Sequence, residues 1–270
     1  MFINLLITDL KRSLDMRKVI PAILLIVFFM IFGENAFIDN PEILLPLSGY
    51  SKDYNGILEY LGNMLLFDKY KVIFVILLCS LYSSSYCKDK SNGYILMVLN
   101  RTDATSYTQS KFIANTISII FVSLCSFFLY VFILFPHIDL VSPYCNNGYY
   151  YLDIMLSHPV CYIIMAALQF SMIAAACGSI GLLVSIFQPD AFVSIGLPGL
   201  IFFLALSFKA DNGPFDILSM VGMNPTLTLY TGGTVWLDYL WGITFPFMVI
   251  CLTGFLFYLR LTKKIIEGNI

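Results

Sequence analysis

Two histidines are the only imidazoles in this 270-residue chain, and both, His137 and His158, fall in one region with Asp139 and Asp153. Two imidazoles and two carboxylates have the chemistry to hold a divalent cation, but their spacing matches no standard ligand pattern. Interfacial polar residues are the simpler reading. Neither HExxH nor GxSxG occurs, so the chain offers no recognisable hydrolytic centre. Seven cysteines stand at 79, 87, 125, 145, 161, 177 and 251, mostly inside apolar runs and without a CxxC. They read as small buried apolar side chains, with a Cys145–Cys161 disulfide left open. A GxxxxGK[ST] loop to cradle ATP phosphates is absent too. Catalysis is therefore not expected of this chain, and any ATP-driven role needs a separate subunit.

The elements that must carry any function are hydrophobic. Apolar residues make up 59% of the chain and charged residues 12%, and the mean hydropathy is +0.84. Such values point to lipid as the solvent. A bilayer core about 30 Å thick takes roughly 20 apolar residues of helix, and residues 19–38, 70–87, 112–135, 160–187, 191–208 and 239–260 qualify. The predicted fold class is an all-α polytopic membrane protein. It has six transmembrane helices, an N-terminal amphipathic interfacial helix, and short re-entrant helices between spans five and six. The first apolar run is too long and too far from the start for a cleaved signal peptide. Lys and Arg set the orientation. With both termini in the cytoplasm, Lys11, Arg12, Arg17, Lys18, Lys88, Lys90, Arg101, Lys111, Arg260, Lys263 and Lys264 lie inside, and only Lys52, Lys69, Lys71 and Lys209 lie outside. The outer loops hold most carboxylates. That acidity could attract a cationic peptide or drug, or could simply follow from the orientation rule.

Residues 1–18 place Phe2, Ile3, Leu6, Ile7, Leu10 and Leu14 on one helical face and Asn4, Thr8, Lys11, Arg12 and Asp15 on the other, with Leu5 out of pattern. A cytoplasmic helix lying along the inner leaflet fits this. Residues 19–270 then form the transmembrane domain, with a cytoplasmic loop at 88–111. Lys69 and Lys71 are expected to snorkel outward. Tyr144 and Tyr149 to Tyr151 suit interfacial anchors or a vestibule lining. In the fourth span, Ala174, Ala175, Ala176, Cys177, Gly178, Ser179 and Gly181 invite close helix approach, and Gln188-Pro189-Asp190 turns it back into an antiparallel fifth span. Residues 209–238 suggest two half-helices around Asn224-Pro225, a form tolerated at membrane depth only when protein or water surrounds it. The middles of the six spans carry no Asp, Glu, Lys, Arg or His, Glu34 being the nearest, which argues against an ion relay.

The loop holds the most informative stretch, DKSNGYILMVLNRTDATSYTQSK from Asp89 to Lys111. It sets an apolar turn, Tyr94 to Leu99, inside charged and polar flanks, which suits a protein interface; a helix lying on the inner leaflet is the alternative. The segment resembles the first cytoplasmic loop of type-2 ATP-binding-cassette exporter permeases, where an acidic residue, a Gly, an apolar helical turn, a polar break and a Lys recur in this order. Asp89, Gly93, Tyr94 to Leu99, Arg101 and Lys111 take those places, with Thr102 where the family often has Pro. The amphipathic start, the six spans and Asn224-Pro225 extend the likeness over the whole chain.

This resemblance implies a permease working as a homodimer, or as half of a heterodimer, with two separate ATP-binding-cassette ATPase subunits that carry ATP and Mg. The residues it assigns to coupling are Asp89, Gly93, Tyr94, Ile95, Leu96, Met97, Leu99 and Arg101. Antimicrobial peptides, drugs or related amphipathic substrates follow only by analogy; the Ile, Asn, Lys, Phe and Tyr bias suggests an AT-rich bacterial genome, and the expected location is a bacterial cytoplasmic membrane. No nucleic-acid partner is expected. An ion-coupled secondary carrier and a non-transporting sensor or assembly subunit are the alternatives.

Overall fold

The computed structural model describes residues 2–35, 56–58, 61, 68–136, 139–141, 152–207 and 235–267. His137, Tyr144, Cys145, Tyr149 to Tyr151, Lys209 and the stretch around Asn224-Pro225 where re-entrant helices are expected lie outside the described residues, as do the side chains of Glu34, Lys69 and Asp153. Ten helices and no strand are present among the described residues: α1 (Phe2–Ser13), α2 (Met16–Asn35), α3 (Asp68–Tyr82), α4 (Ser85–Ser91), α5 (Tyr94–Leu99), α6 (Ala104–Leu134), α7 (Leu152–Ser157), α8 (Pro159–Phe187), α9 (Ala191–Ser207) and α10 (Val235–Ile266).

Among the described residues, four stretches are long and apolar enough to cross a bilayer: Lys71–Ser91, Ala104–Leu134, Pro159–Phe187 and Gly242–Ile266. The chain is therefore a multi-pass membrane protein. Ala191–Leu204 is a shorter apolar helix, and α2 stands where the first span is expected. Helix α6 begins eight residues before the expected span at 112, because the polar turn from Ala104 to Lys111 continues the helix. Lys71 differs from expectation as well: its side chain is fully buried and does not reach outward.

Helix α8 is the hub, packing against α3, α6, α9 and α10. Its small residues set the distances, since in lipid the hydrophobic effect no longer drives helices together and close van der Waals approach must do so. Gly178 lies under the Ile119 side chain of α6, and Gly181 lies against the Ser194 carbonyl and Pro198 of α9. Hydroxyls add cross-links: Ser179 and Thr253 join α8 to α10 at 2.7 Å. Between α3 and α4 the chain turns at Ser83 and Ser84, and the Ser83 hydroxyl points at the Gly178 carbonyl and Asn115 Oδ1, at 3.2 and 3.3 Å.

Helix α1 departs from the simple two-faced reading. Leu5, Asp9 and Ser13 form the buried face, Asn4, Thr8 and Lys11 face outward, and Ile3 and Ile7 are exposed. Its exposed side carries both polar and apolar residues, so the helix has three faces rather than two, and Leu5, the apparent misfit, belongs to the protein face.

Substituting Gly181 with Ala would set a methyl group against the Ser194 carbonyl and 2.9 Å from Pro198 Cγ, an overpacking cost of about 1–3 kcal/mol. Gly196→Ala, with nothing within 4 Å, is expected to be neutral or slightly stabilising because alanine favours helix. Thermal unfolding of the two purified variants in detergent checks the contrast; equal melting temperatures would contradict it.

Candidate functional site

The loop at 88–111 folds into two short helices before α6 begins. Gly93, with φ +65°, supplies the left-handed residue between α4 and α5, a conformation glycine adopts without the Cβ penalty. At the far end of α5 the Val98 carbonyl accepts from the Thr102 hydroxyl at 2.9 Å and from the Thr102 N–H at 2.9 Å. A proline at 102 has neither donor, so this chain closes the helix by another means.

Six consecutive apolar residues cannot all be buried in a single turn and a half of helix, and α5 divides them. Ile95 and Val98 are buried, in a cluster with Leu5, Tyr86, Tyr107, Leu182, Ile186, Phe257 and Leu261. Leu96 is 60% exposed and Met97 67%. Tyr94 and Leu99 pack partly against the same cluster, and Arg101 is exposed. The α5 helix therefore displays a small apolar pair on a base anchored to α1, α6, α8 and α10. Beside it, between α1 and α5, runs an open groove of about 790 Å³ lined by Asn4, Thr8, Tyr94, Met97 and Arg101 among others.

Asp89 is not on a charged rim. It is 1% exposed and belongs to a buried network that the sequence reading did not foresee. Lys111 of α6, fully buried, spends its three N–H donors on Asp9 Oδ1 at 2.9 Å, Asp89 Oδ2 at 2.6 Å and the Tyr82 hydroxyl at 2.8 Å. Tyr82 donates to Asp9 Oδ1 at 2.6 Å, Ser110 to Asp9 Oδ2 at 2.8 Å, and Tyr107 to Asp89 Oδ2 at 3.0 Å. Arg12 of α1 donates from Nη2 to Asp89 Oδ1 at 2.6 Å, and its guanidinium lies 4.6 Å from the centre of the Tyr94 ring. Burial alone would lower the Arg12 pKa, but the hydrogen bond and charge of Asp89 outweigh it and hold the guanidinium above its ordinary value.

Two carboxylates thus meet an ammonium and a guanidinium, and all four carboxylate oxygens accept hydrogen bonds. Charges out of water are tolerable only under such pairing. The network has no free nucleophile or base and no evident chemistry; it fastens α1, α3, α4 and α6 to one another beneath α5. Asp9 was the overlooked residue. The available signal was an acid on the same helical stripe as Leu5 and Ser13, facing a chain whose third span begins with an otherwise unbalanced Lys.

The remaining candidates stay apart. His158 and Asp139 are exposed, and among the described residues no group of three or more His, Cys, Asp or Glu could hold a metal. Cys161 is a free thiol. No protein-family model matches the chain, and no curated protein or solved structure does either.

Lys111→Met leaves Asp9 and Asp89 facing each other with Arg12 alone, and breaking a buried pair in this way is expected to cost about 3–5 kcal/mol. Asp9→Asn combined with Lys111→Met retains the neutral Arg12–Asp89 pair and is expected to be more stable than Lys111→Met alone. Thermal unfolding in detergent ranks them, and a double variant less stable than the single one would show that the charges do not compensate each other.

Proposed function

We propose that this chain is the transmembrane permease subunit of an ATP-driven exporter, with α5 as the element that docks on a separate ATP-binding-cassette ATPase. The observation that carries this reading is the division of α5: Leu96 and Met97 exposed, Ile95 and Val98 buried, and the base tied by the Asp89 network to the helix that opens the third span. An apolar pair held on a rigid support suits a partner's groove, where a few buried anchors supply most of the binding energy. The resemblance of Asp89 to Lys111 to the loop of type-2 exporter permeases supports the same assignment.

In this reading α2 and α9 complete six spans, both termini are cytoplasmic, and the protein works in a bacterial cytoplasmic membrane as a homodimer or heterodimer. ATP and Mg bind the ATPase subunits. Closure of those subunits would push on α5, and the network would pass the displacement to α1 and α6. An amphipathic substrate such as an antimicrobial peptide or drug would leave between the two permease halves.

The buried Asp9, Asp89 and Lys111 favour a second reading, an ion-coupled carrier, because ionisable groups within membrane helices often relay ions. Two features weigh against it: every carboxylate oxygen is occupied, and Lys111 is the eighth residue of α6, near its loop end. A non-transporting assembly subunit would use the same α5 surface and differs in moving no substrate.

Leu96→Asp with Met97→Asp is expected to abolish co-purification with the ATP-binding-cassette ATPase that the unaltered protein captures from its own cells, and ATP turnover in that complex, while the melting temperature changes little because both side chains are exposed. Retained binding and turnover would refute α5 as the docking element. Orientation has its own check. A cysteine placed at Ser91 on a background lacking the seven native cysteines is expected to react with an impermeant maleimide only in opened cells. Labelling in intact cells would put the loop outside and end the proposal.

A further inference from the structure

Helices α9 and α10 both pack along α8, and a cavity of about 120 Å³ occupies the angle between them. Ile173, Ala176 and Cys177 of α8 form its floor, while Phe202 of α9 and Phe245 and Pro246 of α10 form its walls. No side chain lining it carries an oxygen or nitrogen. Water needs two to four polar partners to occupy a cavity, whereas an engineered cavity of about 150 Å³ with a similar lining stays dry and takes benzene. The lining residues lie well inside their helices, two of which, α8 and α10, are long and apolar enough to cross a bilayer and so to be surrounded there by hydrocarbon. On either side of the cavity α9 exposes Leu200 and Leu204, and α10 exposes Met248 and Leu252.

From the lining, the size and the depth together, we propose that this cavity is a binding site for the end of one lipid acyl chain, entering from the membrane between α9 and α10. It is independent of the α5 surface and of any ATPase. The occupant is a flexible hydrocarbon chain because only such a chain is abundant at this depth, requires no hydrogen bond, and is narrow enough to pass between two helices.

The test uses the full-length protein in nanodiscs containing a phosphatidylcholine with a diazirine at its acyl terminus. After irradiation, adducts are mapped to residues by fragmentation mass spectrometry. Adducts are expected on Phe202 and Phe245 as well as on outward-facing Leu252 and Phe255. Ala176→Phe, which fills the cavity from its floor, is expected to lose the first pair and keep the second. Should that variant fail to fold, Val249→Phe fills the cavity from the α10 side and serves in its place. Adducts confined to outward-facing residues, or cavity adducts that persist in the filled variants, would overturn the assignment.

Discussion

Burying Asp9, Asp89 and Lys111 at one helix junction is possible only because each charge meets its opposite within hydrogen-bond distance, and the arrangement of this end of the bundle follows from that requirement. Lys111 must sit between the two carboxylates, so α6 cannot begin where its apolar run begins; it must extend down to Ala104. Asp9 must reach Lys111, which turns the protein face of α1 away from its most apolar side. Arg12 then balances Asp89 from outside and covers the Tyr94 ring. Displacing any one of these helices alone would strand a charge in a poorly solvated site, which is far more costly than moving them together.

The bundle above is held by a different force. Within lipid, α8 gains little from its apolar surface as such, and its contacts depend on backbone approach at Gly178 and Gly181 and on hydroxyl pairs such as Ser179 with Thr253. Close packing of this kind has few soft degrees of freedom. Lys264, at the end of α10, donates to the Ile186 carbonyl at the C-terminus of α8 at 2.7 Å, where a cation also meets the negative end of the helix dipole. Charge pairing therefore ties the helices together at the end that carries α5, while small residues and hydroxyls do so along the apolar bundle.

Long apolar runs made most of the fold legible. Residues 160–187 anticipate α8 almost to the residue, and the turn at Gln188-Pro189-Asp190 separates it from α9 as its proline requires. What stayed hidden needed pairing across distance. Asp89 and Arg12 are 77 residues apart and Lys111 and Asp9 are 102 apart, and local periodicity says nothing about such partners; Asp89 therefore read as a charged rim. The helical turn from Tyr94 to Leu99 was expected and is present as α5, but the division of its faces was hidden for the opposite reason. YILMVL is apolar at every position, so no amphipathic pattern could show that Ile95 and Val98 turn inward while Leu96 and Met97 remain exposed.

A six-residue helix has no independent stability, since isolated helices shorter than about 12–15 residues are marginal in water. That α5 is helical with Leu96 and Met97 outside means that its conformation is imposed by its support: Gly93 starts it, Thr102 closes it, Ile95 and Val98 anchor it, and Arg12 and Asp89 fix the base. A surface formed in advance in this way spares a partner the entropic cost of ordering it. The same rigidity has a mechanical consequence. A loop that had to fold upon docking would absorb a push through its own dihedral angles, whereas a turn fixed by buried ion pairs passes displacement to α1 and α6 before it deforms. In the proposed coupling role the charge network and the apolar pair would be two parts of one device, neither of much use without the other.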